Sequence, residues 1–282
     1  MKISLVVGSL YRKEFINRLL GSLATQRHTD FEVIIVEQSN PQAVRSDAEL
    51  FSSLEVKVLS SARGLSRARN IGMEAARGEI VGFPDDDCWY LPGTLLRVAH
   101  QFERDAALDI LCGRVLTPAG PMIGFPRAAC EITRSNVWRT VVSPGLFVRR
   151  SSAEAIGDFD QWLGVGSGTL AGSGEETDFV MRGLSLGMRT MYDSLLHVSH
   201  PSPLDVKDRL NPDVGYKYGY GMGHLLRKHH YSVLYAAASI ARVGIGSVMA
   251  TTGRDTALGA FRESVARGRL HGYLNTEIGT TR

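Results

Sequence analysis

The alternation of β-branched runs with helix-spaced segments over residues 3–83 constrains this chain more than any other feature. "ISLVV" (3–7), "EVIIVEQS" (32–39), "VKVL" (56–59) and "EIVGF" (79–83) read as strands. Between the first two, "INRLLGSLATQ" (16–26) sets Ile16, Leu19, Leu20 and Leu23 at helical spacing. "SRARNIGMEAARG" (66–78) reads as a helix opened by Ser66 and closed by Gly78. This order predicts an α/β fold with a mostly parallel sheet flanked by helices on both faces. At 282 residues and 44% hydrophobic content the chain can bury a sizeable core, so disorder is not expected.

Ligands of such sheets bind beyond the carboxyl ends of the strands. The fourth run leads into that region through three consecutive carboxylates, Asp85, Asp86 and Asp87. A turn capping the next helix, "LPGTLLRVAHQF" (91–102), needs only one of them. Adjacent carboxylates repel and raise their own pKa values unless a cation neutralises them. Mg²⁺ is held by one or two carboxylates plus substrate phosphates, which makes a divalent metal the expected compensation.

A second acidic group follows a flexible stretch containing Gly164, Gly166, Gly168, Gly172 and Gly174, where a ligand can approach the backbone. Glu175, Glu176 and Asp178 then occupy the first turn of an expected helix. One acid there satisfies the helix dipole; Glu175 and Glu176 together point to a positioned general base. Beyond an expected short strand, "TMYDSLLHVSHPSP" (190–203) carries His197 and His200. His200, before Pro201 and a polar loop, is the one expected to face a cleft.

Cys88, Cys112 and Cys130 are odd in number and lack a CxxC spacing, so neither a disulfide framework nor a zinc site is implied. The first apolar run is too short for a signal-peptide core, and a cytoplasmic protein is expected. Net charge is +3, divided as about −2 over residues 1–200 and +5 over 201–282. In that basic tail, "YSVLYAAASIARVGIGSVMA" (231–250) places Val233, Leu234, Ala237, Ile240, Ala241, Gly244, Ile245 and Val248 on one helical face. Arg242 at its centre disfavours a spanning helix; one lying in a membrane interface, or packed on the domain, fits better. The basic balance favours the anionic inner face of the plasma membrane.

These pieces, in this order, resemble family 2 glycosyltransferases with the GT-A fold. "VVGSLYR", "VEQSN", "RGLSRARNIGMEAARGEIVGFPDDD" and "GLFVRRSSAEAIGDFDQWLGVGSGTLAGSGEETDFVMRGLSLG" carry the resemblance over roughly residues 1 to 230. It implies a Rossmann-like GT-A domain over 1–215, with a nucleotide-sugar half (1–110) and an acceptor half (111–215), followed by a basic helical region at 216–282. It implies Mg²⁺ or Mn²⁺ on Asp87, Asp85 and His200, with Asp85 also meeting the ribose and Asp86 secondary. Ser9, Arg12, Glu37, Arg69 and Asn70 are expected to frame the nucleotide, and Glu176 to deprotonate the acceptor hydroxyl with inversion. Glu176 stands where the family usually has Asp, so Glu175 and Asp178 remain alternatives. "EQ" at 37–38 lacks one acid of the usual pair, which bears on base recognition.

The expected partners are a nucleotide-sugar, a UDP-sugar before others, and a saccharide or lipid-linked acceptor of surface-polysaccharide assembly. Peripheral membrane contact is expected through 216–250. A sugar nucleotidyltransferase is the rival enzyme, though "GSLYRKEF" is a poor phosphate loop, and a non-catalytic nucleotide-sugar-binding protein is the rival outside catalysis. No nucleic-acid partner is expected, because the basic residues are dispersed and the cleft is acidic.

Overall fold

The computed structural model describes residues 1–201 and 210–275. The polar loop expected after Pro201 and the last seven residues lie outside the described residues. By compactness, 1–159 with 179–201 form one unit and 160–178 with 210–275 a second. The segment 160–178 thus groups with the C-terminal helices, a division that differs from one at 215.

The first unit is built on a single mixed sheet. β1 (Ile3–Ser9), β2 (Phe31–Glu37), β3 (Val56–Ser60) and β4 (Ile80–Gly82) run parallel in the order β3-β2-β1-β4. Beyond β4 the order continues through β9 (Leu146–Arg149), β6 (Leu108–Thr117), β10 (Arg189–Ser199) and β5 (Trp89–Tyr90). β9 is antiparallel to both β4 and β6, while β10 is parallel to β6. The carboxyl ends of β1, β2, β4 and β10 therefore share one edge. Two short strands, β7 (Gly120–Pro121) and β8 (Cys130–Glu131), pair with β6 and β10 off this path.

Helices cover both faces because β1 is apolar on both. Ile3, Leu5 and Val7 pack with Ile16, Leu19 and Leu20 of α1 (Lys13–Leu23) and with Leu95, Val98 and Phe102 of α4 (Thr94–Arg104). On β2, Ile34 and Val36 pack against Ala68 of α3 (Leu65–Ala75). The start of α3 departs from expectation: its cap is Gly64, and Ser66 lies inside the first turn. α2 (Pro41–Glu49) and α5 (Arg150–Ile156) complete this covering, and α6 (Glu175–Ser185) carries the chain across the boundary at residue 178.

In the second unit α7 (Pro212–Lys228), α8 (Val233–Thr252) and α9 (Thr256–Leu274) pack together. α7 and α9 meet backbone to backbone. A Cβ on Gly219 would stand 2.1 Å from the Val265 oxygen, and one on Gly223 2.0 Å from the Arg269 oxygen. Gly268 and Gly272 return the contact against Tyr216 and Tyr220. Glycines four apart on each helix permit this approach, as small residues do wherever helices cross closely.

Candidate active site

The aspartates are not a helix cap. α4 starts from Gly93 with no side-chain cap, and two residues of strand separate it from the triplet. Asp85 instead bridges to Gly8 at the end of β1, and Cys88 N donates to Asp85 O at 3.2 Å, turning the chain back into β5. β5 then pairs with the end of β10 through Trp89↔Ser199 and Tyr90↔Val198. That register sets the residue after Ser199 opposite Cys88, one position from Asp87. His200 Nε2 lies 3.0 Å from Asp87 Oδ1 as a result. β10 itself is longer than the expected strand: His197 lies within it and turns its Nε2 to Ser194 O at 2.9 Å, while His200 follows its last residue.

Asp85, Asp87 and His200 each offer one ligand atom, and these atoms all lie within 4.8 Å of one another. Two carboxylate oxygens and one imidazole nitrogen suit Mg²⁺ or Mn²⁺ and leave coordination positions for water and phosphate oxygens. Pro201 O accepts from His200 Nδ1 at 2.8 Å. A carbonyl can only accept, so Nδ1 carries its proton there; Nε2 donates to Asp87 when the ring is protonated and offers its lone pair to a cation when the ring is neutral.

The charges around the cluster are unequally matched. Burial pushes the Asp85 carboxyl up to about 6, with the Asp87 and Asp86 charges adding to the rise and Arg69 and His200 opposing it. Asp86 is also raised, by burial first, despite its pairing with Arg12. His200 is raised: burial alone would lower it, and the hydrogen bond and charge of Asp87 outweigh that. A set of carboxylates held this reluctantly in charged form favours any additional cation placed among them.

The expected nucleotide-framing residues divide into two groups. Around the triplet, Ser9 Oγ donates to Asp86 at 3.2 Å, and Arg12 bonds Asp86 and reaches Asp87 Oδ2 at 3.3 Å. Arg69, buried on α3, reaches Asp85 Oδ1 at 3.3 Å and also bonds Ser143 Oγ. The other two are organisers of loops. Glu37 accepts from Tyr11 N, Ser39 N and Asn40 N, so one carboxylate ties the loop after β1 to the loop after β2. Burial raises its pKa, but the hydrogen bonds from Ser39 and Tyr11 overcome this and leave it lowered. Asn70 clamps the Phe159 peptide from both sides, at 2.9 Å to its oxygen and 2.8 Å from its nitrogen.

Two residues of this neighbourhood went unread in the sequence. Arg18 donates to Asp87 O at 2.6 Å, its guanidinium 4.2 Å above the Trp89 ring and 5.1 Å from that of Phe15. Ser143 joins Arg69 to Phe83 O at 3.1 Å. Neither carries a motif: Arg18 reads as the polar face of α1, and Ser143 sits in an irregular segment.

The acidic group at the start of α6 belongs to the second unit. Gly174, at φ 100°, precedes it, a conformation that favours glycine. Asp178 is fully buried, its Oδ1 2.8 Å from both Lys228 Nζ and His229 Nε2, and Lys228 also reaches Asp160 at 2.8 Å. It fastens the first turn of α6 to the end of α7. Glu175 is buried and Glu176 half-buried. The structure thus assembles Asp85, Asp86, Asp87, His200, Ser9, Arg12 and Arg69, and engages Asp178 in a separate ion cluster.

The family model for "Glycosyl transferase family 2" matches residues 4–136. EpsJ of Bacillus subtilis, an uncharacterized glycosyltransferase, is 33% identical over 115 residues, 39% of this chain and 33% of that protein. An uncharacterized glycosyltransferase of Nostoc sp. is 27% identical over 175 residues, 57% of this chain and 54% of its own. The chain spans about half or less of the length of these relatives. Among solved structures, a mannosyltransferase from Pyrobaculum calidifontis in complex with GDP-Man and Mn²⁺ aligns at a TM-score of 0.66 and 14% identity, covering 98% of this chain and 88% of that one. S. aureus TarS 1–349 in complex with UDP-GlcNAc aligns at 0.60 and 18%, covering 98% and 93%. These likenesses show a shared mixed α/β architecture of GT-A type.

Proposed function

We propose, from the match of residues 4–136 to the glycosyl transferase family 2 model, that the chain is a metal-dependent, inverting glycosyltransferase. It moves a sugar from a nucleotide-sugar, a UDP-sugar before others, to an acceptor hydroxyl of a cell-surface polysaccharide or glycolipid. The observation that carries this reading is the Asp85–Asp87–His200 cluster at the shared carboxyl edge of β1, β4 and β10. A divalent cation bound there would supply Lewis-acid neutralisation of the donor's diphosphate.

The chain's own residues do the rest. Asp85, Asp87 and His200 present the ligand atoms, and Arg12, Arg69 and Ser9 hold the aspartates in place. Glu37, by ordering the two loops beside the triplet, shapes the seat for the nucleoside. Glu176 is the base: it takes the proton of the acceptor hydroxyl while that oxygen attacks the anomeric carbon. The bond from that carbon to the phosphate oxygen breaks, its electrons leave with the nucleoside diphosphate, and the configuration inverts. Asp178 is the poorest of the three acids for that task, since Lys228 and His229 occupy it. Action at the cytoplasmic face of the plasma membrane suits a lipid-borne acceptor.

The role of Glu176 is tested by Glu176→Gln. Donor affinity by calorimetry stays within about twofold while turnover falls by ~100-fold or more; full turnover in the variant assigns the base elsewhere.

A further inference from the structure

α8 carries its apolar surface the wrong way round for a helix that packs only within its own unit. Toward α9 it turns small or polar residues: Ala236, Ser239 and Ser247 are its buried positions. Outward it turns Leu234, Ile245, Val248 and Met249, exposed by 83, 62, 63 and 67%. These fall at helical spacing on one stripe, with Ala237, Ala238 and Ala241 filling the gaps. Only 11% of the helix's most apolar window is buried, although its length and composition would let it cross a membrane. An apolar stripe about 23 Å long left facing water marks an interaction surface.

Two features select the occupant. Arg242 stands exposed in the middle of this stripe, and α8 has no acidic residue to meet it. Symmetric pairing with a second α8 would bring two Arg242 guanidinium groups toward the same contact, burying like charges without a partner. At a lipid surface the same side chain lays its stem along the acyl boundary and its charge among phosphates. The surrounding charge agrees: residues 210–275 hold eight Lys or Arg against three Asp or Glu. Tyr231 and Tyr235, with ring centroids 4.8 Å apart, add an aromatic pair of the kind that favours the headgroup level at one end of the helix.

The fastening of α8 to α9 decides between lying on a bilayer and crossing it. Arg269 Nη1 donates to Ser239 O and Oγ at 2.9 and 2.8 Å, Arg262 Nη1 to Gly246 O at 2.9 Å, and Ser247 Oγ to Gly259 O at 2.7 Å. α8 is thus pinned along its inner face to a helix bearing Arg262, Glu263, Arg267 and Arg269, which cannot follow it into hydrocarbon. We propose that α8 docks the protein in plane on an anionic lipid surface, through Leu234, Ile245, Val248 and Met249 with Arg242 reaching the phosphates. The choice of lipid takes its biological sense from the lipid-borne acceptor proposed above, whereas the surface itself is independent of catalysis.

The test is flotation of the full chain with vesicles of phosphatidylcholine alone and of phosphatidylcholine mixed equally with phosphatidylglycerol. Leu234→Glu/Val248→Glu and Arg242→Glu are compared with wild type, with melting curves to establish folding. Wild type floats with the anionic vesicles, and the double variant loses binding on the order of tenfold or more. Arg242→Glu loses the preference for anionic over neutral vesicles. Wild type that stays unbound, or a folded double variant that floats as well as wild type, overturns the proposal. So does a wild-type dimer in light scattering that the double variant converts to monomer, which assigns the face to a second copy. Donor binding measured on the same samples separates the two readings: lost flotation with donor binding retained touches only the surface, and intact flotation without donor binding only the transferase.

Discussion

Asp87 faces partners on three sides: His200 on Oδ1, Arg12 on Oδ2, and Arg18 on its backbone oxygen. The first two contacts involve a carboxylate that a metal would recruit, but the third holds the loop whatever the carboxylate does. Arg18→Met keeps much of the bulk between Phe15 and Trp89 and removes the donor. Mn²⁺ affinity by calorimetry is expected to drop about 10-fold, the scale seen when groups supporting metal ligands are lost; unchanged affinity would make Arg18 a packing residue only. Glu32, buried on β2, is the contrasting acid, satisfied by Ser4 Oγ at 2.7 Å, Arg77 N at 2.8 Å and the Arg77 side chain. Burial raises its pKa, yet these bonds outweigh burial and hold it below 4.5. Its stabilisation is therefore complete above the unfolded-state value and disappears as pH falls through the lower folded-state value. Glu32→Gln is expected to cost roughly 1–3 kcal/mol at neutral pH. The gap to wild type in urea melts narrows below pH 4.5; a gap independent of pH would mean that shape, not charge, stabilises the site.

Between α7 and α9 the decisive groups are hydrogens. Gly223→Ala places a methyl 2.0 Å from the Arg269 oxygen, a backbone atom that cannot swing aside. Overpacking of this kind is expected to cost about 1–3 kcal/mol. Gly244→Ala on α8 meets nothing within 4 Å and gains helix propensity, a stabilisation of up to about 1 kcal/mol. Thermal melts of the two variants should move in opposite directions, and a matching shift would mean the helices do not meet as described. This element shows what a sequence leaves hidden. Gly215, Gly219 and Gly223 are visible as a four-residue repeat, but nothing local distinguishes a close helix crossing from a loop. The amphipathic stripe of α8 was legible in composition, yet its direction was not: periodicity places residues on a face without saying what that face meets. The start of α3 at Gly64 rather than Ser66 reflects the same limit, because a glycine and a serine both end helices and only the backbone path chooses between them.

Across the whole chain, local order was the readable part. Four parallel strands, the helices between them and the carboxylates at their ends follow from hydrophobic period and from where such sheets bind ligands. Placing β9 antiparallel between β4 and β6, and closing β5 onto β10, needed pairings far apart in sequence, that of Trp89 with Ser199 spanning 110 residues. His200 reaches Asp87 only through that closure, so its place in the cluster was available from family resemblance and not from spacing. Glu176 was legible as an acid in a first turn, and its task still rests on turnover. The cluster's purpose rests on binding: wild type and Asp87→Asn are titrated with UDP-, GDP- and dTDP-sugars in the presence and absence of Mn²⁺. One nucleotide class is expected to bind wild type only with Mn²⁺ and to lose that binding in Asp87→Asn. Binding that ignores both the metal and the substitution would contradict the assignment of Asp85, Asp87 and His200 as the seat of the cation.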